Sequence, residues 1–395
     1  MSAIRKRKRR RKVVCVFTST RAEYGLMRPV IHRLRDVYDV RILVAGMHLS
    51  PGFGNTVEDI RNDGLQVHKC VETLMESDSP VAVSKSMALG LIGFADFFAD
   101  IRPDLLMVLG DRCETLAACC AALNQGVPIA HINGGETTEG SPNEAVRHAI
   151  TKMSHLHFTG TEIYRQRVIQ LGEAPERVFN VGALALETIM LTDLMSKEKL
   201  AESLGIELDK PYAVVTFHPT APEQADVAKQ FSQVLKALQK HRELKYVFTY
   251  AKAGVHERTV NRMIENFAVE PRSNAAAFTS LDTISYLSAI KNSAMVVGNS
   301  SGGIFEAPVL GVPTVNIGDR QKGRLQSGSI INCPPIMDAV DAAIRKALDP
   351  GFLKSTEYRS ALYGDGESST RIATAIEAFL QGGQESRRKE FYDLL

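Results

Sequence analysis

The sequence predicts an α/β protein made of two doubly wound halves, each with a parallel sheet. Short apolar segments typical of buried strands alternate with helical segments, and this alternation occurs in two series along the chain. Between the two series, over residues 185–210, strand-like segments stop and a charged stretch intervenes. We therefore predict a domain boundary in that stretch and a ligand-binding cleft between the two halves.

The first series begins with the β-branched segment 13–17, which predicts a strand and precedes a polar turn and a helix. Leu105–Leu109 is apolar throughout, as expected of a strand that is buried on both faces. The further strands that we predict in this half are 39–44, 128–132, Leu156–Thr159 and 178–181, with helices at 115–123 and 143–153.

The second series contains predicted strands at 212–217, 246–249, 295–297, 314–317 and 330–332, with a helix at 227–239. In open parallel sheets, ligands bind beside the carboxyl ends of the strands. The polar loops that follow these strands are therefore the first places to search for functional residues.

The composition is that of a globular protein, with 395 residues, 44% hydrophobic and 23% charged. No uninterrupted apolar run approaches the roughly 18 residues of a membrane helix, so we predict no membrane partner. The formal charge is +2, but residues 1–12 hold eight Lys or Arg and no acid, so the remaining chain carries −6.

We predict that residues 1–12 form a disordered basic tail. A signal peptide is excluded because the apolar segment 13–17 is shorter than the required run of about seven residues. Contact of the tail with nucleic acid or anionic lipid stays an alternative, although the acidic remainder shows no basic stripe and predicts no nucleic-acid partner. The six cysteines lack metal-ligand spacing, which predicts no metal site and reduced, mostly buried thiols in a cytoplasmic protein.

A glycine- and serine-rich turn follows the predicted strand 295–297. Its residues Gly298, Asn299, Ser300, Ser301 and Gly302 lack the lysine of a P-loop and the spacing of a dinucleotide fingerprint. Serine hydroxyls and the amides at a helix start bind phosphate oxygens, so the turn predicts a diphosphate site. An ordinary turn stays the alternative, and Glu306 beyond it is either a ribose ligand or a solvated acid.

Cations are concentrated in the loop after the predicted strand 314–317. Arg320, Lys322, Gly323 and Arg324 lie there in an otherwise acidic body, a pattern that favours an anionic ligand. Arg21, in the first loop of the other half, is placed to reach the same cleft.

Two acids directly follow neighbouring strands of the first half. Asp111 follows Leu105–Leu109, and Glu136 follows the strand 128–132. Paired carboxyl groups in one cleft serve as acid and base, whereas a helix cap or an exposed acid is the alternative for each. His218, at the end of strand 212–217, is a candidate donor to a phosphate or sugar oxygen.

Six motifs in order resemble the UDP-N-acetylglucosamine 2-epimerase family, closest to its hydrolysing branch of sialic and nonulosonic acid synthesis. They are residues 19–25, Gly110-Asp111-Arg112, Gly134-Gly135-Glu136, residues 147–154, residues 298–302 and residues 318–324. The resemblance extends from about residue 13 to residue 380 and leaves the basic tail outside.

The resemblance implies a glycosyltransferase-B architecture with Rossmann-like domains at 13–188 and 189–368 and a helix in 369–395 that crosses back to the first domain. It implies release of UDP from a UDP-2-acetamido sugar by anti elimination, followed by hydration of a 2-acetamidoglucal. Neither a metal nor a cofactor takes part, and relatives form homo-oligomers, either dimers or tetramers.

The resemblance also implies roles for individual residues. The predicted catalytic residues are Asp111, Glu136, Glu144 and His218. The predicted substrate- and UDP-binding residues are Arg21, Glu23, His48, Arg112, Asn143, Arg147, Gly298, Asn299, Ser300, Ser301, Gly302, Glu306, Arg320, Lys322, Gly323 and Arg324.

Two positions depart from the family pattern. Asn143 stands where relatives usually have a third carboxylate, so Asp111 and Glu136 suffice, Glu144 or Glu139 substitutes, or activity is altered. Residues 251–254 differ from the usual loop and leave the sugar open between UDP-N-acetylglucosamine and UDP-N,N'-diacetylbacillosamine. A glycosyltransferase of the same fold and a non-catalytic sugar-nucleotide sensor are the alternative functions.

Overall fold

The structure is a computed structural model and describes residues 11–75, 77, 79–138, 141–219, 227–251, 257–270, 274–356, 363–383 and 385–394. Residues 1–10 of the predicted tail, Glu139 and residues 252–254 lie outside the described residues. The expectations for those positions therefore stay predictions.

The first sheet contains seven strands: β1 (Val13–Thr18), β2 (Asp39–Ala45), β3 (Val67–Val71), β4 (Leu105–Leu109), β5 (Ile129–Ile132), β6 (Leu156–Thr159) and β7 (Val178–Asn180). All pair in parallel, in the order β3-β2-β1-β4-β5-β6-β7. The chain proceeds outward from β1 to β3 and then returns to β4. The topological switch point of this sheet therefore lies between β1 and β4.

The second sheet contains six strands: β8 (Tyr212–Thr216), β9 (Lys245–Thr249), β10 (Ala275–Phe278), β11 (Met295–Gly298), β12 (Thr314–Ile317) and β13 (Ile330–Cys333). They too are parallel, in the order β10-β9-β8-β11-β12-β13, with the switch point between β8 and β11. Two doubly wound parallel sheets confirm the predicted fold class.

Fifteen α-helices are described. Those up to the second sheet are α1 (Arg21–Val37), α2 (Val57–Asn62), α3 (Pro80–Ile101), α4 (Cys113–Asn124), α5 (Pro142–Met153), α6 (Glu162–Gln170), α7 (Leu184–Leu191) and α8 (Lys197–Leu204). The others are α9 (Val227–Leu238), α10 (Glu257–Val269), α11 (Thr283–Lys291), α12 (Gly302–Val309), α13 (Met337–Leu348), α14 (Pro350–Ser355) and α15 (Ser368–Gln381). Short 3-10 helices occupy Gly46–Leu49, Pro51–Phe53, Pro175–Arg177 and Glu385–Arg387.

The central strand β1 contributes to two cores because successive side chains of a strand point to opposite faces. Val14 and Val16 are buried in the core that contains α1. Cys15 and Phe17 are buried in the core that contains Phe94 of α3. Burial on both faces explains why β1 is apolar along its length and lacks the polar alternation of an exposed strand.

The helix α15 packs on the first half of the molecule. Its Ile376 is buried in the α1 core, and Arg33 of α1 donates a hydrogen bond from Nε to Ser369 Oγ at 2.6 Å. Lys12, the last residue of the predicted disordered basic tail, is half-buried and donates from its ammonium to the Leu380 carbonyl. Domain limits at residues 188 and 368 stay predictions.

Among the described residues, a single helix, α3, is long and apolar enough to cross a membrane by length and composition alone. In this structure, its Phe94 and Phe98 are buried in the core of the first half. Val81, Leu89 and Ile92 on the same helix are exposed.

Three expectations require correction or addition. The edge strands β3 and β10 were missed, because the sequence VHKCV interrupts its apolar residues with polar ones and AAAF is mostly alanine, a weak strand former. The thiols are free but not mostly buried: Cys15 and Cys119 are buried, whereas Cys70 is exposed.

Candidate active site in the cleft between the sheets

A cleft of about 1390 Å³ lies between the loops at the carboxyl ends of the two sheets. It is bordered by both switch points, where an open α/β sheet binds its ligand. The predicted site residues that line it are Arg21, Glu23, Asp111, Arg112, Glu136, Asn143, Arg147, His218, Ser300, Ser301, Gly302, Glu306, Arg320, Lys322 and Arg324.

The loop after β1 is held by Glu23. Its Oε2 accepts hydrogen bonds from Ser19 N at 2.7 Å, Ser19 Oγ at 2.9 Å and Thr20 N at 3.1 Å, and Thr20 completes a capping box at the start of α1. Burial raises the pKa of Glu23, while the nearby Arg112 opposes the rise. Glu23 therefore shapes the loop that presents Arg21 to the cleft. Burial lowers the pKa of Arg21, against the opposing effect of Asp59.

His48 and Arg112 support this loop from below. His48 is fully buried, with Nε2 3.0 Å from Thr18 Oγ1 and Nδ1 2.9 Å from Thr56 Oγ1. Both ring nitrogens are engaged and the side chain has no exposed surface, so the geometry favours a role in holding the loop, and substrate binding by His48 stays a prediction. Arg112 binds Glu114 through Nε and Nη2 at 3.2 and 3.0 Å.

The carboxylate of Asp111 is held by a buried arginine. Arg147 on α5 is only 1% exposed, and its Nη2 forms an ion pair with Asp111 Oδ2. The other nitrogen, Nη1, donates to the Glu136 carbonyl at 2.9 Å. Asn143 Nδ2 lies 3.4 Å from Asp111 Oδ1. A buried guanidinium requires such compensation, so Arg147 places the Asp111 carboxylate relative to the backbone of Glu136.

Glu136 receives its partner from the other half of the molecule. Its Oε2 lies 2.8 Å from Arg324 Nη2, and both side chains are less than a tenth exposed. Arg324 also packs over the Phe305 ring, 5.2 Å from its centroid, and donates from Nη1 to Gln321 Oε1 at 2.8 Å. We call the loops after the first sheet the first wall of the cleft and the loops after the second sheet the second wall. This ion pair joins the two walls.

Glu144 lies behind the cleft surface. Its Oε2 accepts from the backbone and hydroxyl of Thr138, and its Oε1 lies 3.2 Å from His148 Nε2. Glu144 does not line the cleft, so its geometry corresponds to a support for Arg147, 3.5 Å away, and not to the substituting base that the sequence suggested.

Asn299 connects three loops of the second wall. Its side-chain amide pairs with the backbone of His218, accepting from N and donating to O at 2.7 Å each. The backbone carbonyl of Asn299 accepts from Arg320 Nη1 at 2.9 Å and from Gln321 Nε2 at 2.8 Å. Asn299 is 2% exposed, so the geometry favours a support of the turn, and ligand binding by Asn299 stays a prediction.

Gly298 and Gly323 also contribute backbone and not cleft surface. Gly298 has φ +132°, and a Cβ atom there would lie 1.9 Å from the Thr216 carbonyl oxygen. Only glycine fits where β11 approaches its neighbour β8 this closely.

The serine turn faces the cleft at the start of α12. Ser300, Ser301 and Gly302 line it, and Ser300 Oγ accepts from Gly302 N at 3.3 Å. Tyr286 of α11 reaches the same point and bonds to Ser300, and burial raises its phenol pKa, as does the charge of Glu306. Hydroxyls, amides and a helix start thus lie together, as an anion-binding turn requires.

Arg320 lies between cations and anions at the centre of the cleft. Burial lowers its pKa to about 10, and the like charge of Arg324 adds to this effect, while Asp111 opposes it. Lys322 lines the cleft on the same loop. These cations produce a positive second wall opposite the carboxylates of the first.

Sequence reasoning missed three residues that connect the site: His131, Tyr286 and Gln321. Tyr286 comes from a helix with no motif, and Gln321 lies between the noticed cations. His131 lies inside the strand that precedes Glu136, and it received no role in the sequence analysis. No cluster of metal-ligating side chains occurs in the part of the chain that the structure describes.

A family model described as UDP-N-acetylglucosamine 2-epimerase matches residues 32–377. The chain is 36% identical over 348 residues to a Campylobacter jejuni protein named GDP/UDP-N,N'-diacetylbacillosamine 2-epimerase (hydrolyzing), covering 88% of each chain. It is 35% identical over 386 residues to polysialic acid biosynthesis protein P7 of Escherichia coli, covering 97% of this chain and 98% of that one.

The fold also matches solved structures. One is the Neisseria meningitidis UDP-GlcNAc 2-epimerase bound to UDP-GlcNAc, with a TM-score of 0.79 and 19% identity, covering 93% of this chain and 100% of that chain.

Proposed function

Because this chain belongs to the UDP-N-acetylglucosamine 2-epimerase family, we propose that it is a hydrolysing 2-epimerase of a UDP-linked 2-acetamido sugar. The observation that carries the proposal is the opposition of two walls: Asp111 and Glu136 on one side, and the serine turn with Arg320 and Lys322 on the other. A sugar joined to a diphosphate has matching parts, a neutral ring whose C2 proton must be removed and a dianionic diphosphate at C1.

The second wall would bind the nucleotide. In the proposal, Arg320 and Lys322 bind the diphosphate together with the hydroxyls of Ser300 and Ser301, because charge-assisted hydrogen bonds to phosphate are short and strong. Glu306 accepts from the ribose hydroxyls. Arg21, presented by the first loop, contacts the diphosphate from the opposite side of the cleft.

The first wall would carry out the proton transfers. One carboxylate, Asp111 or Glu136, removes the C2 proton, the C–H electrons form a C1–C2 double bond, and the C1–O bond breaks to release UDP. Water then adds to the 2-acetamidoglucal. Its oxygen bonds to C1, and C2 receives a proton on the face opposite to the one from which the first proton was removed, so the configuration at C2 is inverted. The products are UDP and the 2-epimeric free sugar. Positioned acids and bases contribute about a hundredfold or more to such steps.

The sugar is the finer part of the proposal. Relatives at 36% and 34% identity are named for UDP-N,N'-diacetylbacillosamine, and one at 26% identity for UDP-N-acetylglucosamine. We therefore propose the 2,4-diacetamido-6-deoxy sugar nucleotide as the preferred substrate and UDP-N-acetylglucosamine as the alternative.

Incubation in deuterated water tests both reaction and substrate. Each UDP-sugar is supplied separately, and the expected result is free UDP together with deuterium at C2 of the 2-epimeric sugar. A glycosyltransferase would leave C2 undeuterated and would need an acceptor. Absence of UDP release and of deuterium with every UDP-2-acetamido sugar would refute the proposal.

A sugar-nucleotide sensor is a second candidate, favoured by Asn143 beside Asp111. An amide cannot abstract a proton, so a sensor would bind UDP-sugar without turnover. Asn143→Asp, which restores the carboxylate found in relatives, would then create activity where the native chain has none.

The proposal includes a cytoplasmic homo-oligomer that needs neither metal nor cofactor. Turnover is expected to be unchanged by EDTA, and light scattering is expected to give the mass of a dimer or tetramer. Loss of turnover on chelation, with recovery on adding a divalent cation, would contradict the first point.

A further inference from the structure

His131 of β5 lies behind the first wall and contacts two of its segments. Its side chain has no exposed surface. Nε2 lies 2.8 Å from the carbonyl oxygen of Gly110, and Nδ1 lies 3.1 Å from Thr151 Oγ1. Gly110 directly precedes Asp111, whereas Thr151 is on α5, one turn beyond Arg147.

The partners of the ring determine its tautomer. A carbonyl oxygen only accepts, so Nε2 carries the proton and donates to Gly110. In the neutral ring Nδ1 is then an acceptor, and the Thr151 hydroxyl donates to it. Burial lowers the pKa of His131 to about 3, and the Arg147 charge adds to this effect, so the ring is neutral at ordinary pH.

The surrounding backbone leaves little freedom to this arrangement. Gly110 N donates to the Ile132 carbonyl at 3.0 Å, so both polar groups of Gly110 are bound by β5. A Cβ at Gly134 would lie 3.0 Å from Thr151 Oγ1 and 3.2 Å from His131 Nδ1, so the turn leading to Glu136 also packs on this pair.

We infer that His131 is a positioning residue that fixes the loop of Asp111 relative to the helix of Arg147. The guanidinium of Arg147 bonds the Asp111 carboxylate and the Glu136 carbonyl. By fixing the loop and the helix, the imidazole therefore also fixes the positions of these three groups relative to one another. Because the ring is neutral, it does this without adding a charge beside the carboxylates. The inference rests on the proposed function for its kinetic consequence only.

The chain offers a matched control in His157. It is the register partner of His131 on β6, is equally buried, and bonds Glu173 through Nε2 at 2.9 Å. Neither His157 nor Glu173 lines the cleft. His157→Phe therefore reproduces the loss of a buried imidazole without disturbing the loop of Asp111.

Steady-state kinetics of His131→Phe, His131→Gln and His157→Phe test the inference. We expect His131→Phe to lower kcat at least about tenfold with KM and UDP affinity within about twofold, the pattern of a lost transition-state interaction. His131→Gln should recover part of kcat, because its amide can donate to Gly110. His157→Phe should keep kcat within about twofold. Equal kcat losses in the two phenylalanine variants, or an unchanged kcat in His131→Phe, would overturn the inference.

The second contact is tested on its own with Thr151. Thr151→Val removes the hydroxyl at nearly constant shape and should lower kcat, whereas Thr151→Ser keeps the hydroxyl and should retain kcat. Equal kcat in the two variants would show that the contact to Nδ1 has no role.

A spectroscopic measurement distinguishes failure of the inference from failure of the proposed function. Nitrogen-15 spectra of histidine-labelled protein, assigned with His131→Gln, should show a neutral Nε2–H tautomer between about pH 5 and 8. A protonated ring or an Nδ1–H tautomer would overturn the inference even if no UDP-sugar were turned over. Absent turnover with the expected tautomer would count against the proposed reaction alone.

Discussion

Each wall of the cleft relies on buried polar side chains to hold its loops, although the first wall presents acids and the second presents cations. On the first wall, the buried His131 and Arg147 tie the loops that present Asp111 and Glu136. On the second wall, the buried Asn299 ties the loops that present His218 and Arg320. In both, a shielded polar side chain satisfies backbone groups at a switch point, where parallel strands separate and the loops lack a ladder of their own.

The difference between the walls lies in charge compensation. Asp111 is paired within its own wall by Arg147, whereas Arg320 donates to the backbone carbonyl of Asn299 and has a pKa lowered by burial and by Arg324. Both acids of the first wall thus have an arginine partner, Glu136 across the cleft from Arg324, and we expect Arg320 and Lys322 of the second wall to meet an anion. We therefore expect changes in the first wall to affect turnover and changes in the second to affect nucleotide affinity.

The largest expected effect comes from Asp111→Asn. Removing a carboxylate that transfers a proton should lower kcat about a hundredfold or more, with UDP affinity within about threefold. Asp104→Asn is the matched control, because Asp104 lies at the opposite end of β4 and accepts from Val13 N at 3.0 Å. Kinetics with the preferred substrate and calorimetric titration with UDP measure the two quantities. A large loss of UDP affinity with normal kcat would reverse the assignment of the walls.

Asn299→Ala should give the next largest effect, on the second wall. Two buried hydrogen bonds to His218 are lost, and UDP affinity should fall about thirtyfold, equivalent to about 2 kcal/mol. Asn292→Ala is the control, since its amide also donates to two carbonyls, of Met195 and Ser288, outside the cleft. Calorimetry with UDP gives the affinities. Similar losses in the two variants would mean that the effect is general destabilisation.

Arg320→Gln should weaken UDP binding about tenfold, the cost of about one charged hydrogen bond, with a smaller effect on kcat. The surface Arg345, paired with Asp341, supplies the control Arg345→Gln. Because a charge contact is screened by salt, the difference between native and Arg320→Gln proteins should shrink as ionic strength rises. A difference independent of salt would argue against a phosphate contact.

The last expected effect is on stability, and two buried histidines of the first half contribute to it. Burial lowers the pKa of His48 to about 4 and of His131 to about 3, whereas an unfolded imidazole titrates near 6.5. The stability that these neutral rings contribute is complete above pH 6.5 and is lost as the pH falls toward their folded pKa values. Each pH unit in that interval costs about 1.4 kcal/mol per ring.

The thermal unfolding midpoint should therefore decrease between about pH 7.5 and 5.5, and it should decrease less in His48→Gln. Asn299 contributes no such dependence because an amide does not titrate in this range. An identical decrease in the native protein and the variant would contradict the assigned pKa of His48.

The sequence by itself determined the architecture and most of the cleft surface. Doubly buried strands such as β4 need continuous apolar residues, so periodicity identified them, and their loops held Asp111, Glu136 and Arg320. The resemblance supplied the family, which the matched family model and relatives confirm. The edge strand β10 escaped because its sequence AAAF is mostly alanine, a weak strand former.

Only the tertiary structure decided which polar residues line the cleft and which hold those that do. His48, Asn299 and Glu144 carry the same side-chain chemistry as residues that line the cleft, but they bond to neighbouring protein groups and lie outside the cleft lining. His131 shows the converse, since its role follows from contacts with residues 21 and 20 positions away in the chain. Local sequence records a side chain's chemistry, whereas its exposure and partners depend on the packing of distant segments.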